Sequence, residues 1–309
     1  MDIGALPDDV LRHDILSRLR DARDVAACSG VCQRWRHRCV PYLPALFFPD
    51  DAFGFDEAST ERANATINRM LGAAEQIQDL TIHCPFAPGR LSHWVALRCS
   101  TLRALDLRVT RATTAILERI QNAAILEELR LWGPSLATVL ARGGMERLRV
   151  LHIGRAVLQD VKLINKIGEA CPNLNHLTLE NSICYEAGEA AVSLSRLKEC
   201  KIQLHGLGTR SLKLTTSCIE SLNVRGFTSF FLQGGTDCLR DLTISNWYVY
   251  HVDIGELPGL EHLFLEAVQW KWEATAACCP GEAPGNGCIL HLVEEVTIGG
   301  TNTNHRSQN

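Results

Sequence analysis

One short pattern, apolar-x-x-apolar-x-apolar, recurs along most of this chain. It begins at Ile77, Leu102, Leu126, Leu148, Leu174, Leu197, Ile219, Leu239, Leu260 and Val293, at steps of 20 to 26 residues with a last step of 33. In a unit such as Leu105-Asp106-Leu107 the two leucines point to one side of a short strand and the residue between them to the other. One unit cannot bury its own apolar edge, so neighbours must stack into an array. Parallel strands then line one face, and the segments that return from each strand to the next line the other.

The return segments change character along the chain. Residues 112–123, 134–142 and 158–171 carry apolar residues at helical spacing, for example Val161, Ile164, Ile167 and Cys171. Ser211-Leu212-Lys213-Leu214, Phe230-Phe231-Leu232 and Val252-Asp253-Ile254 are short and alternating, and predict strands of a second sheet. The fold class is therefore α/β: a solenoid with a parallel concave sheet and convex helices that give way to short convex strands. Residues 77–298 form the array. Residues 46–76 form a connector and a first helix carrying Ala63, Ile67, Met70 and Leu71, and 299–309 a disordered tail.

The outward strand positions are the candidate binding surface. Arg130, Trp132, His152, His176, Glu180, Lys201, Arg225 and Phe264 place basic and aromatic groups on the concave wall, which suits recognition of a peptide or folded protein. Trp247, Tyr248, Tyr250, Trp270 and Trp272 gather near the ends of late strands, as a binding rim or as structural plugs.

The N-terminal residues obey a different pattern. Residues 7–19 predict an amphipathic helix: Pro7 suits a first turn, Asp8 and Asp9 favour the positive end of the helix dipole, and Leu11, Ile15 and Leu19 recur at four-residue steps, with Val10 and Leu16 widening the stripe. Asp21 caps a second helix carrying Val25, and a third holds Cys32, Trp35 and Cys39 on one face before Pro41 and Pro44 stop it. Three helices this short bury too little surface to stand alone.

The stretch from Leu6-Pro7-Asp8-Asp9-Val10-Leu11 to Cys32-Gln33-Arg34-Trp35-Arg36 resembles the F-box, which would occupy residues 1–45. Two departures stand out: Arg20 where plant-style versions place proline, and Arg36-His37-Arg38-Cys39 at the end. The array resembles the leucine-rich repeats of plant F-box proteins, with Cys171-Pro172-Asn173-Leu174 of the cysteine-containing variety. The asparagine often found after the strand is missing from most repeats, and Asn181 and Asn246 come one position early, so buried backbone groups need other partners. The resemblance implies that Leu6, Pro7, Val10, Leu11, Ile15, Leu16, Val25 and Trp35 dock on a Skp-type adaptor and through it a cullin, while the repeats hold a protein substrate for ubiquitination.

Composition narrows the function classes. The formal charge of −4 gives no case for nucleic-acid binding, and no apolar run approaches the ~20 residues of a membrane span. Thirteen scattered cysteines behind an acidic, uncleaved-looking start favour reduced thiols and a cytoplasmic or nuclear location. Cys278, Cys279, Cys288 and His291 match no paired zinc spacing, and no catalytic motif is present, so no metal, cofactor or catalysis is expected. Three readings follow: a substrate-recruiting ligase subunit, a non-degradative binding scaffold, and a small-ligand co-receptor in which Arg130, Lys201, Lys213 and Arg225 hold an anion.

Overall fold

A computed structural model describes residues 7–10, 18–31, 33–38, 40–109, 116–120, 123–136, 144–206, 208–249, 251–270 and 295–299. The chain divides into two compact units, Met1–Val157 and Leu158–Asn309.

The first unit opens with helical segments α1 (Asp8–Val10), α2 (Ala22–Val31) and α3 (Gln33–Arg38). Asp21 caps α2 as expected: its Oδ1 accepts the Arg23 N–H at 2.8 Å and its carbonyl accepts the Val25 N–H at 3.1 Å. The chain then enters a parallel sheet of β1 (Ala45–Phe48), β2 (Asp79–Ile82), β3 (Ala104–Arg108), β4 (Glu128–Trp132) and β6 (Val150–Gly154), in that order. Strand β1 corrects the sequence reading, which treats this stretch as connector. Leu43, Leu46 and Phe48 are fully buried and have the repeat spacing themselves. The pattern therefore starts one coil early, hidden by Pro44 and by the long helix that separates it from Ile77.

Leu80, Leu105, Leu129 and Leu151 sit opposite one another in register and are at most 1% exposed. Removing each from water is worth about 2 kcal/mol. Backbone donors at the strand entrances are satisfied by the preceding coil: Arg103 N–H binds the Gln78 carbonyl, Glu127 N–H that of Arg103, and Arg149 N–H that of Glu127, each at 2.8 Å. On the return side lie α4 (Glu57–Ala73), α5 (Leu91–Leu97) and α6 (Ile116–Ile120). Asp56 caps α4 by accepting the Ser59 N–H at 2.9 Å, and Ala63, Ile67, Met70 and Leu71 face inward as the spacing predicts. Helix α5 has no signal of that kind, being a single pair of turns that follows Pro85 and Pro88. Where 134–142 reads as helical, the described part is the short strand β5 (Ser135–Leu136).

The short strand β7 comprises Val157–Leu158. The second unit holds helix α7 (Leu163–Ala170) and a second parallel run, β8 (His176–Cys184), β10 (Glu199–His205), β12 (Ser221–Arg225), β14 (Asp241–Val249), β16 (His262–Trp270) and β17 (Glu295–Gly299). Its return side carries a sheet of β9 (Gly188–Ser193), β11 (Arg210–Thr215), β13 (Ser229–Gln233) and β15 (His251–Asp253), all parallel. The last three are the predicted short strands. Strand β9, Gly-Glu-Ala-Ala-Val-Ser, is too poor in large apolar residues to announce itself, although Ala190 and Val192 are buried. Helix α7 covers its edge, with Asn165 Oδ1 accepting the Ala191 N–H at 2.7 Å. Residues 271–294 and 300–309, which include nearly all of the expected tail, lie outside the described residues.

The missing asparagines are replaced in the second unit by one arginine. Arg210 is 1% exposed, and its guanidinium donates to the carbonyls of Cys184, Glu186 (3.1 Å), Gly206 (3.4 Å) and Gly226 (3.4 Å). These carbonyls belong to the turns that follow β8, β10 and β12. At Gly226, φ is +89° and a Cβ would overlap the Leu204 carbonyl oxygen of the coil before it, so the turn requires glycine. Asn246, although one position early, still donates from its Nδ2 to the Phe227 carbonyl at 2.8 Å.

Arg210→Leu should therefore destabilise the chain by at least about 3 kcal/mol, since several buried carbonyls lose their donor at once. Chemical denaturation checks this; a loss below about 1 kcal/mol would mean that the turns find other donors.

Candidate functional site

Two surfaces collect the residues singled out by sequence. The first is the helical N-terminus. Pro7 is exposed and Val10 half-buried at its start, and Trp35 lies on α3. Leu6, Leu11, Ile15 and Leu16 fall outside the described residues. Val25 is a correction: at 2% exposure it faces the protein's own core, because α2 lies against β1 and needs an inward residue there.

This module is joined to the sheet through the backbone. The Arg20 carbonyl accepts the Phe47 N–H at 2.7 Å, and Asp21 bridges Phe47 in parallel fashion. Arg23 pairs with Asp21 at 2.8 Å and reaches Asp51 at 3.2 Å. Arg20, the departure from the plant-style pattern, thus stands where the chain becomes an edge of the first sheet.

The second surface is the outward face of the repeat strands. In the first unit Phe47, Thr81, Asp106, Arg130 and His152 form one register row. Asp106 meets His83 at 3.3 Å, Arg130 meets Glu128 at 2.5 Å, and Arg108 meets Asp50 at 2.6 Å. The Trp132 ring stacks on His152 with centroids 4.6 Å apart. In the second unit the row is Thr178, Lys201, Asn223, Thr243, Phe264 and Thr297. Lys201 pairs with Glu180 at 2.6 Å and His176 with Glu199 at 3.1 Å, while Arg225 is exposed at the end of β12.

Of the four cations proposed for an anion, Lys213 lies on β11 of the return sheet, whereas Lys201 and Arg225 lie on the repeat strands. Sequence reasoning left out Phe47 and Arg108, which the register places on the outward face; the signal for Phe47 was the overlooked Leu43-x-x-Leu46-x-Phe48 pattern. Trp247, Tyr248 and Trp270 lie on β14 and β16, while Tyr250 and Trp272 fall outside the described residues.

Burial pushes the Cys84 thiol up to about 11 and those of Cys171 and Cys200 up to about 12, which leaves these sulfurs protonated and unreactive near neutral pH. Among the described residues no group of three or more His, Cys, Asp or Glu side chains could hold a metal ion. Cys278, Cys279, Cys288 and His291 lie outside them.

A helical N-terminal module fused to stacked parallel coils defines a repeat protein with a helical head. Residues 3–43 match the family F-box-like. The chain is 32% identical over 282 residues to an F-box protein of Arabidopsis thaliana, covering 88% of this chain and 66% of that protein. It is 26% identical over 261 residues to an F-box/LRR-repeat protein of the same plant, covering 81% of this chain and 61% of that one. The chain thus spans just under two thirds of the length of these relatives. Residues 3–43 are thus F-box-like, and along most of its length the chain is similar to plant F-box proteins, one of them an F-box/LRR-repeat protein.

The joint between head and array carries a pH signature. Hydrogen bonds from Arg23 hold the Asp21 carboxyl below its ordinary value, and those from Ser59 do the same for Asp56. A depressed folded-state pKa contributes stability that is complete above the ordinary Asp value of about 3.9 and is lost as pH falls through the folded value. The denaturation midpoint should hold steady from about pH 7 to 5 and drop below about pH 4. A chain carrying both Asp21→Asn and Asp56→Asn should start lower and show a shallower acid fall.

Proposed function

We propose that this chain is the substrate-recruiting subunit of a cullin-based ubiquitin ligase. Its head docks on a Skp-type adaptor, and its repeats hold a protein substrate. The observation that carries this is the F-box-like match over residues 3–43 together with the backbone bond from Phe47 to Arg20, which ties the head to the first strand of the array. F-box domains bind Skp1-type adaptors, and F-box proteins are generally non-catalytic. The contribution of such a subunit is proximity and orientation: it holds substrate lysines near the ubiquitin-carrying enzyme and forms or breaks no bond itself.

Pro7, Val10, Trp35 and the residues Leu6, Leu11, Ile15 and Leu16 supply the apolar docking surface in this reading. Val25 supports them from beneath as a core residue. The outward rows through Arg130, Trp132 and His152 and through His176, Glu180, Lys201, Arg225 and Phe264 supply substrate contacts. Unoxidised buried thiols at Cys84, Cys171, Cys200 and Cys184 fit a reducing compartment, so we place the protein in cytosol or nucleus.

Co-expression with a Skp-type adaptor tests the reading. Leu6→Ala with Pro7→Ala, or Trp35→Ala alone, should abolish adaptor co-purification while the circular dichroism of the repeats is kept. Unchanged adaptor capture would sink it. In a reconstituted ligase a bound substrate should acquire ubiquitin only with the unaltered head; binding without ubiquitin transfer would leave a scaffold.

A further inference from the structure

The outward face of the first unit contains one side chain whose position is fixed in advance. The Trp132 indole lies against Gly154, where a Cβ would overlap the ring, and His152 packs against it at 4.6 Å with planes 42° apart. The residue is half-buried, so part of its surface is available to a partner. A tryptophan already held in place loses little conformational freedom on binding, which is what makes such residues anchors of protein interfaces.

Three arginines flank this platform along the backbone. Arg108 on β3 faces Trp132 in register, Arg130 precedes it by two residues on β4, and Arg155 follows Gly154 directly. Arg108 and Arg130 are 46% and 49% exposed in open pairs with Asp50 and Glu128. A guanidinium has five N–H donors, so each keeps donors for an incoming anion. Asp106, the nearby carboxylate of the same face, is turned to His83. Arg155 is exposed, makes no ion pair among the described residues, and has a φ of +54°. At the corresponding place after β4, β10 and β12 the chain has Gly133, Gly206 and Gly226. A long cationic side chain is thus retained where backbone geometry favours none.

We infer that the outward face of β3, β4 and β6 takes an anionic segment of the recruited protein, one carrying an apolar or aromatic residue beside its negative groups. The apolar residue lies on Trp132, and the anions share Arg108, Arg130 and Arg155. The inference rests on the substrate-recruiting reading above and gives that substrate a chemistry. The negative groups are carboxylates or phosphoserines, and a peptide series separates the two.

The test uses the full chain co-expressed with its adaptor and three fluorescein-labelled dodecapeptides of one design around a central leucine and phenylalanine, with glutamate, phosphoserine or glutamine at the flanking positions. Anisotropy should show the glutamate or the phosphoserine peptide binding at least about tenfold tighter than the glutamine peptide, and the tighter of the two names the anion. Trp132→Ala and Gly154→Ala should each weaken that peptide by about tenfold. Arg155→Gly should weaken it about threefold while melting no lower than the parent, because it relieves the left-handed backbone; a merely structural arginine would leave binding unchanged. Equal binding of the glutamine peptide, or parental binding by the Trp132 and Arg155 variants, overturns the inference. Adaptor co-purification is scored on the same samples: its loss from the parent chain defeats the ligase reading, and the peptides still decide this one.

Discussion

Within each unit, successive described coils leave their backbone donors to the coil behind. Arg103 relies on Gln78, Glu127 on Arg103 and Arg149 on Glu127; in the second unit Lys198 relies on Asn175, Glu220 on Lys198, Arg240 on Glu220 and Glu261 on Arg240. The side chains repeat the theme with alternating charge, as in Arg103 with Glu127 at 2.7 Å and Lys198 with Glu220 at 2.9 Å. Hydrogen bonding to Lys198 holds the Glu220 carboxyl below its ordinary range. The exposed pairs add little stability individually, but the backbone rungs are obligatory, since an unpaired buried amide is costly. Stacking follows from that obligation as much as from the leucines.

The turns at the far ends of the strands meet the same demand by a different device. A ladder of asparagines would satisfy one turn per residue. Here Arg210 alone binds carbonyls from the turns after three successive strands, and the glycine at 226 lets the chain pass close enough to be bound. Burying a guanidinium is tolerable only because carbonyl oxygens occupy its donors. This concentrates the stability of several coils in one side chain, whereas an asparagine ladder distributes it.

Much of this was legible in the sequence, because the repeat signal depends on spacing and the spacing is physical: Leu105 and Leu107 must be two apart to face one way. The strands at Ser211, Phe230 and Val252 could be read for the same reason. Strand β9 could not, since its inward residues are only Ala190 and Val192, nor β1, whose Leu43-x-x-Leu46-x-Phe48 stood alone ahead of a long helix. The candidate surface was legible as a set of outward positions but not as a site. Nothing in the order of residues shows that Trp132 rests on Gly154, that Lys213 belongs to another sheet, or that Val25 turns inward, because these depend on which coils touch.

The bond between Phe47 and Arg20 makes the first strand a fixed origin for measuring distance. Neighbouring strands are about 4.8 Å apart, so moving a contact residue from β3 to β4 shifts it along the sheet by about one such step relative to α2. Within the first unit, the coil that carries an outward residue sets how far that residue lies from α2. Inserting a whole coil there would lengthen that distance by about one strand spacing while leaving the outward residues beyond it in the same register with one another.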